Sequence, residues 1–304
     1  MIAFVFPGQG SQYVGMGKDI IKFSKDLFDL AGNILGLDLE RLCIEGPDTE
    51  LNKTENTQPA ILTVSYALLR KVLELGIKPD YVSGHSLGEY TAALCAEVFS
   101  FSDAIKITRK RGKLMQEALP EGKGAMTAIL GLDEEKVKEI CKSVSNGYVE
   151  LANINCPGQI VISGEASAVR EASELAKQKG AKKVIQLQVS IPSHCMLMKS
   201  ASEKFEEFLK DFKLQDAKFS IISNSDASEK RTATEIINSL VKQLYTPVRW
   251  QECVKYMISK GVDTFIEIGP GKVLSGLIKR IDSSVKILNV SNIDDLENLR
   301  EDLK

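Results

Sequence analysis

Short, continuous apolar runs alternate with longer stretches of helical periodicity along most of this sequence, and this alternation restricts the fold more than any other feature. Uninterrupted apolar runs are typical of strands buried on both faces, and strands separated by helices form parallel sheets covered on both sides. The first run, at 2–6, leads directly into Pro7 and Gly8, as expected of a strand that enters a glycine-rich loop. Further strands are predicted near 81–83, 219–223, 262–267 and 285–289. The pattern from about 17 to 120 is mostly helical, with helices near 57–75, 87–97 and 102–118, and further helices are predicted near 194–212, 232–244, 249–259 and 271–281. The main body is therefore predicted to be an α/β domain with a parallel sheet.

The order of predicted strands and helices is different in residues 123–190. The pattern there predicts a strand, a helix, two strands joined by a turn at 156–158, a second helix that ends at Gly180, and a last strand. This β-α-β-β-α-β order is that of ferredoxin-like domains. A chain of 304 residues, of which 43% are hydrophobic, is long enough to support a second unit. We therefore predict a large domain from residues 1–122 and 191–304, with a ferredoxin-like α+β subdomain inserted at 123–190.

The charge balance and the distribution of apolar residues exclude several classes of protein. A formal net charge of −2 and a pI near 5.9 leave no broad basic field that would attract nucleic acid. No stretch approaches the ~18 apolar residues of a membrane span, and the N-terminal apolar run is too short for a signal peptide. The six cysteines are scattered without a Cys-x-x-Cys pair, so reduced thiols are expected. We therefore expect a cytoplasmic protein that binds neither nucleic acid nor membrane.

The pentapeptide at 84–88, Gly-His-Ser-Leu-Gly, fits the Gly-x-Ser-x-Gly pattern of a nucleophile elbow and lies between a predicted strand and a predicted helix. A sharp strand-to-helix turn exposes the serine hydroxyl, and the flanking glycines let the strand and the helix approach closely. The Leu87 N–H, at the start of the helix, would be one donor to a developing oxyanion. The alternative is an ordinary turn with a helix-capping serine, but the strand-turn-helix context favours Ser86 as a nucleophile.

A serine nucleophile needs a base, and the sequence has two histidines. His85 adjoins Ser86, so its side chain is expected to point away from the reacting face and to serve in packing or hydrogen bonding. His194 follows the predicted subdomain, where it would open a helix and face the cleft between the domains. A serine followed later by a histidine matches the order in hydrolase-like folds, and His194 is therefore the predicted base.

Other chemistries fit the sequence poorly. The glycine-rich loop at 8–10 follows a strand, but Tyr13 stands where a dinucleotide-binding fingerprint needs its third glycine. The Gly-Lys pair at 271–272 is followed by Val273 rather than by serine or threonine, so it is not a P-loop. With two histidines and no clustered cysteines, we predict no metal site and no bound cofactor.

Arg111 ends a basic run, 109–111, of the kind that is usually a solvated helix face. It shares one helical face, however, with the apolar residues Ile107, Leu114 and Met115. That placement makes Arg111 a candidate for a buried, pairing arginine, whereas the two residues before it fit a solvated face. A planar guanidinium can hold a carboxylate through two parallel hydrogen bonds.

Several longer motifs carry a resemblance that covers nearly the whole sequence. They are FPGQGSQ (6–12), GHSLGE (84–89), RKRGKLMQEA (109–118), ANINCPGQIVISG (152–164), VSIPSHCMLM (189–198), QLYTPVRW (243–250) and EIGPGKVLSG (267–276). In this order and spacing they resemble the malonyl-CoA:acyl carrier protein transacylases of fatty acid synthesis. The resemblance implies an α/β fold in which a hydrolase-like parallel sheet with flanking helices carries a ferredoxin-like insertion.

The resemblance also implies a role for each matching residue. Ser86 would carry the acyl group and His194 would be its base, as a pair rather than a full triad. Gln243 would orient His194 through its main-chain carbonyl, and Gln9 would supply a second oxyanion N–H beside that of Leu87. Judged without the resemblance, Gln9 is a residue of a glycine-rich turn and Gln243 a solvent-facing helix end.

Arg111 would hold the malonyl carboxylate while the malonyl group passes from malonyl-CoA to Ser86 and then to the phosphopantetheine thiol of acyl carrier protein. Ser193 fits a malonyl substrate but does not exclude methylmalonyl. Two alternatives stay open, a hydrolase with the same elbow and a non-catalytic module that binds acyl carrier protein. Arg111 argues against the first, and the presence of both Ser86 and His194 argues against the second. The sequence does not determine the oligomeric state, and a monomer is compatible with it.

Overall fold

The computed structural model describes residues 1–120, 122–189 and 191–303, which form two β-sheets with helices around them. The strands are β1 (Ile2–Phe6), β2 (Tyr81–Gly84), β3 (Gly124–Leu130), β4 (Val149–Cys156), β5 (Gln159–Glu165), β6 (Lys183–Gln186), β7 (Ser220–Ile222), β8 (Glu229–Lys230), β9 (Thr264–Ile268) and β10 (Lys286–Val290). The α-helices are α1 (Lys25–Leu35), α2 (Leu39–Glu45), α3 (Asp48–Leu51), α4 (Thr54–Glu74), α5 (Gly88–Cys95), α6 (Phe101–Glu117), α7 (Glu134–Ser143), α8 (Ala166–Gln178), α9 (Lys199–Leu209), α10 (Ala233–Gln243), α11 (Trp250–Ser259), α12 (Val273–Ile281) and α13 (Ile293–Asp302). Short 3-10 helices lie at Ile21–Phe23 and Met196–Met198.

The larger sheet has the strand order β10-β9-β1-β2-β7-β8. Its strands are parallel, except that β8 pairs antiparallel with β7 at one edge. Phe4 and Phe6 of β1 enter the core on one face of the sheet. Ala3 and Val5 enter the core on the other face, because successive side chains of a strand point in opposite directions. Both faces are therefore covered, which explains the continuous apolar run at 2–6 and confirms the predicted α/β fold.

The carboxyl ends of β1, β2 and β7 meet at one edge of this sheet. In the strand register Phe6 is opposite Gly84, and Ser83 is opposite Ile222. The loop after β1, the turn after β2 and the segment after β7 therefore start side by side. A hydrogen bond of 3.0 Å from the His85 N–H to the Phe6 carbonyl ties the first two together. Binding sites in open parallel sheets form at this edge.

The smaller sheet is antiparallel and has the strand order β4-β5-β3-β6. Because β3 and β4 are both antiparallel to β5, they run parallel to each other with β5 between them. This is the split β-α-β arrangement of ferredoxin-like domains, and α7 and α8 share a core with the sheet. The range predicted for the subdomain, 123–190, ends at Ser190, which lies outside the described residues, as Lys304 does at the end of the large domain. The division of the chain at these positions stays a prediction.

Two backbone hydrogen bonds join the smaller sheet to the rest of the chain. The Ile154 N–H donates to the Val248 carbonyl, and the Val248 N–H donates to the Ala152 carbonyl, each at 2.8 Å. Val248 lies in the connection between α10 and α11, so this connection is paired along β4.

The prediction of a helix near 194–212 is wrong at its start. The α-helix begins at Lys199, and His194 has a left-handed backbone conformation with a φ of 61°. The His194 N–H donates to the Leu244 carbonyl, 3.1 Å away, just after the end of α10. This tertiary hydrogen bond holds His194 outside the helix that the apolar periodicity predicts.

Two elements at the borders of the fold are missing from the predicted pattern. Strand β8 is only two residues long, and α13 is rich in charge, so neither shows an apolar run. The α13 helix is instead marked by its N-cap, since the Asn292 side chain accepts a hydrogen bond of 3.0 Å from the Asp295 N–H. Of the helices in the described ranges, none is long and apolar enough to cross a membrane.

Candidate active site

The turn after β2 holds Ser86 in a left-handed conformation, with a φ of 52°, two residues before α5 begins. The surrounding backbone leaves no room for side chains on either side of it. A Cβ on Gly84 would lie 1.9 Å from the carbonyl carbon of Gly88, and a Cβ on Gly88 would lie 2.0 Å from the carbonyl oxygen of Phe6. Both positions therefore require glycine, and the turn has the strained strand-to-helix geometry of a nucleophile elbow.

Asn224, in the segment after β7, fixes this turn from the other side. Its Oδ1 accepts a hydrogen bond of 2.7 Å from the Ser86 N–H, and its Nδ2 donates to the Gly84 carbonyl at 2.8 Å. The sequence reasoning missed this residue. The sequence shows only that Asn224 directly follows a predicted strand, and the structure shows that the carboxyl end of this strand adjoins that of β2.

Ser86, His194 and Gln243 come from distant parts of the chain and meet at the elbow. The Nε2 atom of His194 is 2.7 Å from the Oγ of Ser86, and its Nδ1 is 2.7 Å from the main-chain oxygen of Gln243. A carbonyl oxygen only accepts hydrogen bonds, so Nδ1 carries the imidazole proton and donates it. Nε2 is therefore the unprotonated nitrogen, and it faces the hydroxyl of Ser86.

His194 is 3% exposed, and its surroundings oppose a positive charge on the ring. Burial lowers the pKa of His194 to about 3, and the charge of the nearby Arg111 acts in the same direction. The hydrogen bond to Gln243 raises the pKa but does not offset these effects. The imidazole is therefore neutral around pH 7, the state in which it can accept a proton.

Arg111 reaches the nucleophile from α6. Its side chain is 1% exposed, and its Nη2 donates to the Oγ of Ser86 at 3.1 Å and to the Oε1 of Gln243 at 2.9 Å. The guanidinium carbon lies 5.1 Å from the centre of the Tyr90 ring. Among the residues that the structure describes, no carboxylate lies within 4.0 Å of the guanidinium, and its Nε is buried without a partner. A buried cation with spare donors suits a ligand that carries a carboxylate.

Gln9 and Leu87 place two main-chain N–H groups on neighbouring loops at this edge. Leu87 is fully buried and directly precedes α5, while Gln9 lies in the loop after β1. The Gln9 side chain donates to Thr54 Oγ1 at 3.2 Å. Neither main-chain N–H donates to a protein acceptor within the described parts of the chain. Such N–H groups beside a helix N-terminus suit a developing oxyanion.

A cavity of about 90 Å³ lies beside Ser86, between the two sheets. It is lined by Gln9, Thr54, His85, Ser86, Arg111, Met115, Met126, Asn153, Leu187, Val189, Ile191, Ser193 and His194. The smaller sheet and the segment after it supply most of the apolar wall, while the turn after β2 supplies the nucleophile and α6 supplies the cation. The volume suits a short acyl group. Within 1–120, 122–189 and 191–303, no three His, Cys, Asp or Glu side chains are grouped as a metal site requires.

His85 is among the residues that line this cavity. Its Nε2 is 2.8 Å from the Oδ1 of Asn155, and its ring packs edge-on against Trp250 with centroids 5.9 Å apart. The predicted packing and hydrogen-bonding role is therefore present. Burial lowers the pKa of His85, which keeps the ring uncharged.

The two basic residues before Arg111 are less solvated than predicted. Arg109 forms an ion pair with Glu55, with 3.3 Å between Nη2 and Oε2, and its side chain is 30% exposed. The Lys110 ammonium lies 5.6 Å from the centre of the Phe208 ring. Neither residue belongs to the lining of the cavity as described above.

Comparison with known proteins shows a likeness that covers nearly the whole chain. Residues 3–297 match the acyl transferase domain family. The malonyl CoA-acyl carrier protein transacylase of Bacillus subtilis is 50% identical over 308 residues, covering 100% of this chain and 97% of that protein. The enzyme of the same name from Staphylococcus aureus is 46% identical, with 98% of each chain covered.

Solved structures show the same likeness in three dimensions. A malonyl-transacylase in complex with a type II PKS acyl-carrier protein superposes with a TM-score of 0.97, at 44% identity and 99% coverage of each chain. An acyl carrier protein S-malonyltransferase from Vibrio cholerae gives a TM-score of 0.95 at 43% identity, covering 98% of this chain and 99% of that one. These matches confirm the resemblance that the motifs carry, and the chain belongs to the acyl transferase family.

Proposed function

We propose that this protein transfers a malonyl group from malonyl-CoA to the phosphopantetheine thiol of acyl carrier protein, through a malonyl-Ser86 intermediate. One observation carries the proposal: the Oγ of Ser86 contacts both a neutral imidazole, at 2.7 Å, and a buried guanidinium, at 3.1 Å. The imidazole can activate the hydroxyl, and the guanidinium can bind an acyl group that ends in a carboxylate. The relatives named above carry the same activity in their names.

In the first half-reaction, Nε2 of His194 takes the proton of Ser86 while Oγ attacks the thioester carbonyl of malonyl-CoA. The N–H groups of Gln9 and Leu87 stabilise the tetrahedral oxyanion. When the intermediate collapses, the carbon–sulfur bond breaks and His194 returns the proton to the departing thiolate of coenzyme A. Malonyl-Ser86 and free coenzyme A result.

In the second half-reaction, the phosphopantetheine thiol of acyl carrier protein gives its proton to His194 and attacks the ester of malonyl-Ser86. The same donors hold the second oxyanion, and His194 then protonates Ser86 as the carbon–oxygen bond breaks. This ping-pong order uses one nucleophile, one base and no cofactor. The partner is supported by the solved complex of a similar malonyl-transacylase with its acyl-carrier protein.

Arg111 would provide the preference for malonyl. A carboxylate that enters a cavity of about 90 Å³ loses most of its water, which is unfavourable unless a cation with matching donors replaces it. The guanidinium of Arg111 supplies two charge-assisted hydrogen bonds in a fixed plane. The proposed location is the cytoplasm, in keeping with the cysteines, all of which are free and buried.

Intact-mass measurement after mixing with malonyl-CoA tests the proposal. We expect a malonyl adduct on Ser86 that disappears when the thiol of acyl carrier protein is added, and no adduct with Ser86→Ala. Turnover to free malonate without acyl carrier protein would favour a hydrolase. The absence of any adduct would favour a module that only binds the carrier protein, and an adduct on another residue would overturn the role of Ser86.

A further inference from the structure

Glu89, in the first turn of α5, carries a buried carboxyl group, and the residue is only 1% exposed. Its Oε2 accepts two hydrogen bonds, one of 2.6 Å from the Nε2 of Gln243 and one of 3.0 Å from the N–H of Asn224. Its Oε1 is buried and has no partner among the described residues. Burying a carboxyl group is unfavourable for the stability of the folded protein. A functional role is therefore expected for the contacts that Glu89 makes.

The amide of Gln243 stands between this buried acid and the buried cation of the active site. Nε2 of Gln243 donates to Glu89, while Oε1 of Gln243 accepts from Nη2 of Arg111 at 2.9 Å. A guanidinium only donates hydrogen bonds, and an ionised carboxylate only accepts them. The two charged groups therefore allow the Gln243 amide a single orientation.

Gln243 contacts three of the residues proposed to take part in acyl transfer, Arg111, Ser86 and His194. Its Nε2 also donates to the main-chain oxygen of Ser86 at 2.9 Å, and its own main-chain oxygen holds the Nδ1 of His194 at 2.7 Å. A change in the orientation of Gln243 thus reaches the nucleophile, the base and Arg111 together.

We propose that Glu89 is a positioning residue of this active site, whose ionised carboxylate fixes Gln243 and, through it, the geometry of Ser86, His194 and Arg111. The inference rests on the proposed acyl transfer. It assigns Glu89 no contact with substrate, and it depends on the carboxylate form, because an ionised oxygen accepts the two hydrogen bonds at Oε2 more strongly than a neutral acid does.

Protonation of Glu89 would weaken this arrangement. A proton on Oε2 would meet two donors, and a proton on Oε1 would remove the charge that strengthens the two hydrogen bonds at Oε2. Burial raises the pKa of Glu89 to about 7. The other charged or titratable groups around it are Arg111, Tyr90, Asp226 and Cys253. Burial raises the pKa of Tyr90 and of Cys253, so both stay neutral near pH 7, and Glu89 is the group of this set that changes charge there.

The test is the pH dependence of the second-order rate constant for malonyl-Ser86 formation, measured by rapid quench and intact mass between pH 5 and 9. The wild-type rate constant should decline below about pH 7. Glu89→Gln cannot ionise, so it should react at pH 8 about 10- to 100-fold more slowly than wild type and show no decline near pH 7. Glu203→Gln, a substitution at an exposed acid on α9, is the matched control and should keep the wild-type profile.

The Asp226→Asn variant gives a second test of the proposal, in which Glu89 itself is unchanged. The charge of Asp226 raises the pKa of Glu89, so its removal should move the midpoint of the decline to lower pH, by a few tenths of a unit. Asp226 accepts hydrogen bonds from Ser228 and Lys230, and among the described residues it has no hydrogen bond with Ser86, His194 or Arg111.

A decline near pH 7 that persists in Glu89→Gln would overturn the proposal, and so would a variant that is slower by the same factor at every pH. If Glu89→Gln does not fold, an unshifted midpoint in Asp226→Asn overturns it instead. Failure of the proposed function has a different signature, since the wild-type protein would then form no malonyl adduct at any pH.

Discussion

The Nη2 atom of Arg111 donates a hydrogen bond of 3.1 Å to the Oγ of Ser86. The cation proposed to bind the substrate carboxylate therefore lies against the nucleophile itself. A carboxylate that draws the guanidinium towards it also removes a donor from Oγ and leaves that oxygen more electron-rich. A substrate without a carboxylate cannot do this, so Arg111 can discriminate through reactivity as well as through affinity.

Replacing Arg111 by alanine should invert the preference for malonyl over acetyl transfer. Removing one partner of a buried charge pair typically costs roughly 2–5 kcal/mol, or about 30- to several thousand-fold in specificity. The loss should fall on malonyl transfer, while acetyl transfer is spared or raised because no buried cation then faces the methyl group. The measurement is the ratio of the two rates at subsaturating substrate. Arg109→Ala, which removes an ion pair outside the cavity lining, is the control and should leave the ratio nearly unchanged. An equal decrease of both rates in Arg111→Ala would show that the arginine only supports the structure.

His194→Ala should leave the protein folded but slow malonyl-Ser86 formation by on the order of 100-fold or more, the usual scale for loss of a general base. The base is active above its pKa, and burial lowers that pKa to about 3. Protonation of His194 therefore removes activity only far below neutral pH. Single-turnover acylation should show this loss at every pH from 5 to 9, and a variant with near-normal acylation would contradict the role.

Glu89→Gln should change stability in the direction opposite to activity. The pKa of Glu89 rises from 4.5 to about 7 on folding, so the folded state binds the proton more tightly. This contribution to stability is complete below pH 4.5 and is lost as pH rises through 7, a change of roughly 3 kcal/mol in the unfolding free energy. Urea denaturation should show the variant gaining about that much relative to wild type between pH 4.5 and 8. Glu203→Gln should show no such trend, and a constant difference for Glu89→Gln would mean that the carboxyl does not titrate in this range.

Gly84→Ala should destabilise the fold by at least roughly 3 kcal/mol, because its Cβ would lie 1.9 Å from the carbonyl carbon of Gly88. Gly276→Ala is a matched control on α12, where an added Cβ meets no atom within 4 Å. That change should stabilise the protein by about 0.5–1 kcal/mol, since alanine favours the helix over glycine. Thermal or denaturant unfolding compares the two, and similar small effects would show that the elbow tolerates a side chain.

Local patterns predicted the parts of this protein that depend on neighbours in the sequence. Continuous apolar runs indicated the strands of the parallel sheet, and the elbow pentapeptide indicated Ser86. The helical face shared with apolar residues indicated that Arg111 is buried. Each of these signals lies within one strand, turn or helix.

Contacts between distant segments could not be predicted in this way. Asn224 is a polar residue after a short strand, and only the pairing of β2 with β7 brings it to the Ser86 N–H. In the sequence, Glu89 resembles an ordinary acid in the first turn of a helix, and only the fold brings the Gln243 amide into hydrogen-bonding contact with it. The roles of Gln9 and Gln243 came from the family resemblance alone. His194 was assigned to a helix because periodicity takes no account of its hydrogen bond to Leu244.

The hydrogen bonds between Val248 and strand β4 have a consequence for altering the substrate. Asn153, on β4, lines the cavity, and Gln243, a few residues before Val248, holds the imidazole of His194. One short stretch of backbone is thus hydrogen-bonded to a strand of the cavity wall and also to the side chain proposed as the general base. Enlarging the wall by substitutions on β4 will shift that stretch, so variants built to accept bulkier acyl groups should lose turnover even when the new group fits.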